Sequence, residues 1–250
     1  MERILPDGCI EWIFHLGDSF AHLTETGEWE IQPRSFVVGE LTRYLLIKPT
    51  SSLNTMGVRF RASGAYRFFP LPLHLVTDRI VPTSDIWCLE AGALEARVYG
   101  ARTNNERRAF VEDFLLRAMF DSSPRVVFEA AASRILQTRG QQRIKDLAEG
   151  LGWSTRKLER EFRVAVGLSP KAFARIARFQ GLLLALGETA LREWAVMAVT
   201  AGYADQPHMS REFRKFVGES PTQIDLSRIG ALSRNFISAQ RLSELLGPAY

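Results

Sequence analysis

Two short intervals of the chain concentrate side chains able to recognise a polyanion. Arg156, Lys157, Glu159, Arg160 and Arg163 fall within eight residues, and Gln206, His208, Ser210, Arg211, Arg214 and Lys215 fall within ten. Arg and Gln present paired groups that match base edges in a DNA groove, and Lys and Arg neutralise phosphate. In each interval the polar positions alternate with apolar ones at three- and four-residue spacing: Leu158, Phe162 and Val166 in the first, Met209, Phe213 and Phe216 in the second. That spacing predicts an amphipathic helix with its polar face turned outward.

The elements around these helices repeat as well. Residues 151–170 read LGWSTRKLEREFRVAVGLSP, and residues 201–221 read AGYADQPHMSREFRKFVGESP. Each is preceded by a short apolar stripe, Ile144, Leu147, Ala148 and Leu151 before the first and Trp194, Met197, Ala198 and Ala201 before the second. Short helix, Gly-containing turn, second helix is the helix-turn-helix unit. Gly152 and Gly202 stand where the turn needs positive φ, which glycine adopts without strain. Ser154 is placed to cap the first polar helix. Pro170 opens a longer helix through KAFARIARFQGLLLALG, with Phe173, Ile176, Ala177 and Leu183 as its buried stripe. Such a linking helix would hold two recognition helices for successive major-groove segments, roughly 34 Å apart on one face of B-DNA. Gly152 precedes Phe162 by 10 residues and Gly202 precedes Phe213 by 11, so the second turn is expected to be one residue longer.

On LAEGLGWSTRKLEREFRVAVGLSP and AVTAGYADQPHMSREFRKFVGESP, residues 141–224 resemble the DNA-binding domain of AraC-type transcriptional regulators. The second copy keeps the family's Gly202, Tyr203, Asp205, Gln206, His208, Arg211 and Phe213, and has Met209 where Phe is usual. The resemblance implies seven helices in two helix-turn-helix subdomains, bridged by a long helix at about Lys171–Leu186. It implies base reading by Arg156, Glu159 and Arg160 in the first unit and by Gln206, Ser210 and Arg211 in the second. Glu159 accepts from a cytosine amino group or pairs with a neighbouring Arg, and the sequence leaves both open. Lys157, Arg163, His208, Arg214 and Lys215 are expected at phosphate. Pro207 falls where some members carry a polar base reader; it suits the first position of a helix and cannot donate. Double-stranded DNA is the implied partner, with a small-molecule effector, RNA polymerase and a second copy of the chain as open further partners.

The remainder of the chain is of a different kind. Residues 1–120 carry 13 Lys and Arg against 15 Asp and Glu, and residues 121–250 carry 19 against 13, so the basic balance belongs to one half. The runs at 9–16, 35–41, 43–48 and 56–60 are rich in β-branched and aromatic residues and are broken by Gly, Pro, Asp and Ser, which predicts a sandwich or barrel. LPDGCIEWIFHLGD, MGVRFRASGAY and DIWCLEAGALEARVYGA resemble a cupin-like sensor domain that precedes this type of DNA-binding domain in bacterial regulators. Trp12, Phe14, His15, Arg59 and Phe60 are candidates for a ligand pocket in it, or for its core. From residue 84 the period turns helical, with Asn104 or Asn105 as an N-cap and Gly140 as a stop. The expected fold is therefore α+β in two domains: a β-barrel or cupin-like sensor with following helices at 1–122, a connecting helix at 123–140, an all-α double helix-turn-helix domain at 141–224, and a tail at 225–250 in which SAQRLSELL reads as a helix.

Several function classes are disfavoured. No run of about 18 apolar residues predicts a membrane span, and no basic-then-apolar leader is present, so a cytoplasmic protein is expected. Cys9 and Cys88 form no metal knuckle, and His15, His22 and His74 include no HxH, so neither a metal nor another cofactor is expected. GxSxG, P-loop and HExxH patterns are absent, and no catalytic residue is assigned. A cupin-type metal enzyme fused to a DNA-binding module and a non-specific architectural DNA binder are the competing classes.

Overall fold

The computed structural model describes residues 1–119, 126–188 and 193–224. The first 82 residues supply eight strands: β1 (Glu2–Ile4), β2 (Cys9–His15), β3 (Ala21–Leu23), β4 (Trp29–Ile31), β5 (Ser35–Val38), β6 (Leu45–Lys48), β7 (Thr55–Arg61) and β8 (Ile80–Pro82). They form two four-stranded antiparallel sheets, in the orders β1-β6-β3-β4 and β7-β2-β5-β8. The barrel expected from the sequence is thus realised as two facing sheets. The proline-broken segment after β7 contributes two single 3₁₀ turns, Ala65–Arg67 and Leu73–Leu75.

Strand alternation decides what each side of β2 does. Ile10, Trp12 and Phe14 point to one face and are essentially inaccessible. That face is covered by α1 (Thr83–Gly100) and α2 (Asn104–Ala118). The Trp12 ring lies 4.7 Å from Trp87 and 5.4 Å from Phe114, and its Nε1 donates to Thr83 Oγ1 at 2.8 Å. A buried indole N–H is thereby satisfied within the core. Helix α1 breaks at Cys88, whose φ of 48° and ψ of −125° are not helical. The cap of α2 is Thr103 rather than Asn104 or Asn105. Its side chain accepts from Glu106 N–H while Glu106 reaches back to the Thr103 N–H, so two orphan donors are satisfied at once.

The second unit is helical: α3 (Val126–Gln137), α4 (Ile144–Gly150), α5 (Thr155–Ala165), α6 (Pro170–Glu188), α7 (Trp194–Thr200) and α8 (Gln206–Val217). Aromatic contacts run through its core, from Phe128 to Phe162 (5.4 Å) to Phe173 (5.9 Å), and from Phe179 to Phe213 (5.7 Å) and Phe216 (4.9 Å). Gly140 ends α3 at φ 67°, with its N–H donating to Ile135 O at 2.8 Å. The expected boundary between residues 122 and 123 and the expected terminal helix in 238–246 lie outside the described residues.

Candidate nucleic-acid interface

The two helix-turn-helix units are built on one hydrogen-bond frame. In the first, Trp153 N–H donates to Ala148 O at 2.9 Å and Gly152 N–H to Glu149 O at 3.0 Å; in the second, Tyr203 donates to Ala198 O and Gly202 to Val199 O, both at 2.9 Å. Gly152 and Gly202 have φ of 67° and 81°, the left-handed conformation that closes a helix in this way. The caps then diverge. Ser154 accepts from Lys157 N–H at 3.2 Å, whereas Asp205 accepts from His208 N–H at 2.6 Å. The cap stands two residues after the glycine in the first unit and three in the second, so the added residue is in the turn. Pro207 is the second residue of α8 rather than the first, a position that also lacks an N–H acceptor within the helix.

Each recognition helix buries one face and exposes the other. Leu158 and Phe162 of α5, and Met209, Phe213 and Phe216 of α8, are fully buried. Arg156, Lys157, Glu159, Arg160, Arg163, Gln206, Arg211, Arg214 and Lys215 are exposed, and Ser210 and His208 are half-buried. Some of these have partners already. Arg160 reaches Glu161 at 3.1 Å, and Lys157 lies 4.4 Å from the Trp153 ring centroid. His208 stands edge-on to Tyr203 at 5.5 Å with Nε2 at 3.7 Å from Glu212 Oε1, so its ring faces the helix scaffold.

Sequence reasoning passed over the groups that hold α8 in place. Glu212 is buried on α8 and is hydrogen-bonded by Arg175 of α6. Arg178, one turn further along α6, donates to Gly140 O at 2.8 Å and lies 5.3 Å from the Tyr203 ring. Burial, with the Glu212 charge nearby, pushes the Tyr203 phenol above its ordinary range. The signal was available: Glu161 and Glu212 hold equivalent positions just before the core Phe, where a carboxylate is drawn toward the helix interface.

The far ends of both recognition helices meet the first unit. Thr77 Oγ1 donates to Gly167 O, just beyond α5, at 2.9 Å, and His74 Nδ1 lies 3.3 Å from Arg163 O in the last turn of α5. Arg3 pairs with Glu219 at 2.6 Å, and the Tyr44 ring abuts Gly218 at the end of α8. Leu5 and Ala62 join the hydrophobic core of the helical unit. The N-terminal turns of α5 and α8, which carry Arg156 and Gln206, are left exposed.

In the first unit a cavity of about 90 Å³ lies between the two sheets, lined by the other face of β2: Cys9, Glu11, Ile13 and His15. Of the proposed pocket residues, His15 lines it and Arg59 pairs with Asp7 and Glu11 at its edge, at 2.5 and 3.4 Å. Trp12, Phe14 and Phe60 do not line it. They occupy the opposite face, because Trp12 and Phe14 alternate with Glu11, Ile13 and His15, and Phe60 pairs in register with Ile10. Burial lowers the His15 pKa, and burial with the neighbouring Asp7 charge raises Glu11 to about 7. No group of three or more His, Cys, Asp or Glu placed to hold a metal ion, and no helix long and apolar enough to cross a membrane, occurs among the described residues.

Comparison with known families agrees with this division. Residues 147–225 match a helix-turn-helix domain family, and residues 1–82 match a domain of unknown function, DUF6597. A search of curated protein sequences finds no match. Among solved structures, ToxT from Vibrio cholerae is similar at 10% identity, covering 89% of this chain and 94% of that one with a TM-score of 0.49. A structure titled as unsaturated fatty acid bound wild-type ToxT, from strain SCE256, is similar at 11% identity over 89% and 88%, with a TM-score of 0.43. Scores in this range do not equate two folds. The family match, on the repeated frame described above, shows that residues 147–225 form a helix-turn-helix domain, a DNA-binding unit.

Proposed function

We propose that the chain is a sequence-specific regulator that lays α5 and α8 in successive major-groove segments, with α6 setting their separation. In this reading Arg156, Glu159, Arg160, Gln206, Ser210 and Arg211 meet base edges, and Lys157, Arg163, His208, Arg214 and Lys215 meet phosphate. The observation that carries it is the repeated frame: two helices with equivalent glycine turns and buried stripes present different outward residues, save the pairs Arg160 and Arg211, and Arg163 and Arg214. Identical frames with different outward residues suit an asymmetric site. The family match at 147–225 supports the DNA-binding part.

The first unit would act on DNA binding through a small effector or through self-association, from the cytoplasm. Support comes from the contacts at Gly167 and Gly218, because a ligand that favours one arrangement of the first unit shifts the ends of both recognition helices. RNA polymerase would be the further partner if the chain activates transcription. Selection of bound sequences from a random DNA pool tests the central claim. An enriched asymmetric motif spanning two groove segments is expected, and a folded protein that enriches nothing would overturn it.

A further inference from the structure

The cavity between the sheets has an acidic end, with Asp7 and Glu11 in its wall and Glu40 buried behind it between the lining residues Gly39 and Leu41. Glu40, just after β5, is completely buried, and neither of its carboxylate oxygens has a hydrogen-bond partner. Asp7 is close enough to act on it electrostatically, and Asp7, Cys9 and Glu11 line the cavity. Arg59 sits among these carboxyls but is held by Asp7 and Glu11, so three carboxyl groups share one fixed cation. Further along β2, His15 is also buried against the cavity. Its Nε2 meets Gln32 Oε1 at 3.1 Å, and its Nδ1 is buried with no partner. With Nε2 donating, Nδ1 is one more acceptor. Buried acceptors without donors are costly, so a positively charged donor is the complement that is missing. The intervening wall is apolar, with Ile13, Val38, Leu45 and Ile47. At 10–15 Å³ for each water-sized occupant, the space suits a ligand of about half a dozen heavy atoms.

We propose that this cavity binds a small organic cation, an alkylammonium or alkylguanidinium, with its charged head against Asp7 and Glu11, near Glu40, and its hydrocarbon tail along Ile13, Leu45 and Ile47. The proposal rests on the reading that the first unit holds an effector, and it adds the ligand's chemical class. An anion of the same size would find its one cation already taken by Asp7 and Glu11. Burial first, and the Asp7 charge next, hold the Glu40 carboxyl well above the usual carboxylate range.

The test uses the full chain with n-pentylammonium, pentanoate and 1-pentanol at matched ionic strength, read by calorimetry and by thermal melting. Saturable binding of the ammonium is expected, at least tenfold tighter than that of the alcohol, and weakened at least tenfold in Asp7→Asn or Glu11→Gln. Both variants are close in shape to the native residue, and their own melting curves report folding. Saturable pentanoate binding with a silent ammonium would overturn the cation while leaving an effector in this unit. Silence of all three probes on folded protein would overturn both readings. Ammonium binding undiminished in both variants would overturn this site.

Discussion

Arg175 on α6 donates to the carboxylate of Glu212 on α8, and that carboxylate is only 8% exposed as a residue. The pair fixes the second recognition helix to the helix that spaces the two units. Arg175→Ala would leave the buried carboxylate without its hydrogen-bond donor, with His208 Nε2 3.7 Å away. The expected loss is about 2–3 kcal/mol in chemical denaturation. Replacing both partners together, Arg175→Met with Glu212→Leu, should cost much less, because no charge is then stranded. Equal losses in the single and double variants would show that the pair contributes packing and not charge.

Two glycines make the same backbone demand in different surroundings. Gly152 and Gly218 both have φ in the left-handed region, 67° and 86°. A side chain at Gly152 would meet nothing within 4 Å, whereas one at Gly218 would come within 2.8 Å of the Tyr44 ring. Both alanine variants should lose about 1–2 kcal/mol through backbone strain. Gly218→Ala should in addition push Tyr44 away, and hydrogen exchange should rise in the segment around β6 in that variant alone. Unchanged exchange there would argue against a firm seat for the first unit on α8.

The outward residues divide by what they are expected to touch. Arg211→Ala should weaken binding to the selected site by about 1–3 kcal/mol and relax base preference at one position. Lys215→Ala should weaken all DNA sequences nearly alike and lower the salt slope by about one. Lys215 also borders a broad groove lined by His22, Arg43 and Tyr44 of the first unit, so a phosphate at Lys215 would lie beside that unit. Titrations against the selected site and random DNA at several salt concentrations distinguish the two roles; a uniform loss for Arg211→Ala would remove it from the base readers.

How much of this was legible differs between the units, for physical reasons. The helical unit announces itself, because three- and four-residue spacing, glycine turns and caps are all local, and each appears twice. The sheets are less readable. Strands β1, β3, β4 and β8 have three residues each, too few to show alternation. In β2 the alternation is plain, but one face is buried by helices and the other half-buried against the opposing sheet, so hydrophobicity cannot tell core from cavity. Trp12 and Phe14 drew attention as large aromatics, while the polar parity, Glu11 and His15, carries the cavity. Asp7, Glu11, Glu40 and Arg59 become neighbours only through the pairing of β2 with β7 and the turn after β5.

The same acid cluster sets a pH dependence with a definite sign. Burial and the Asp7 charge raise Glu11 in the folded chain to about 7, from an ordinary 4.5. Between those values the unfolded chain has released this proton while the folded chain keeps it. The folded state therefore binds more protons, and stability falls as pH rises through the window, by up to about 1.4 kcal/mol per pH unit for one group. His15 acts oppositely: burial lowers its pKa from 6.5, so the unfolded chain takes up its proton first and stability falls as pH drops below that value. Asp7 and Arg59 are the charged groups that act on Glu11, one raising and the other lowering it. Glu11→Gln removes one slope and leaves the other. The stability of Glu11→Gln relative to the native chain, from denaturation at a series of pH values, should therefore increase steadily from about pH 4.5 to 7 and level off above it. A difference that stays flat across that range would mean that Glu11 is already ionised in the folded protein, with Arg59 outweighing its burial.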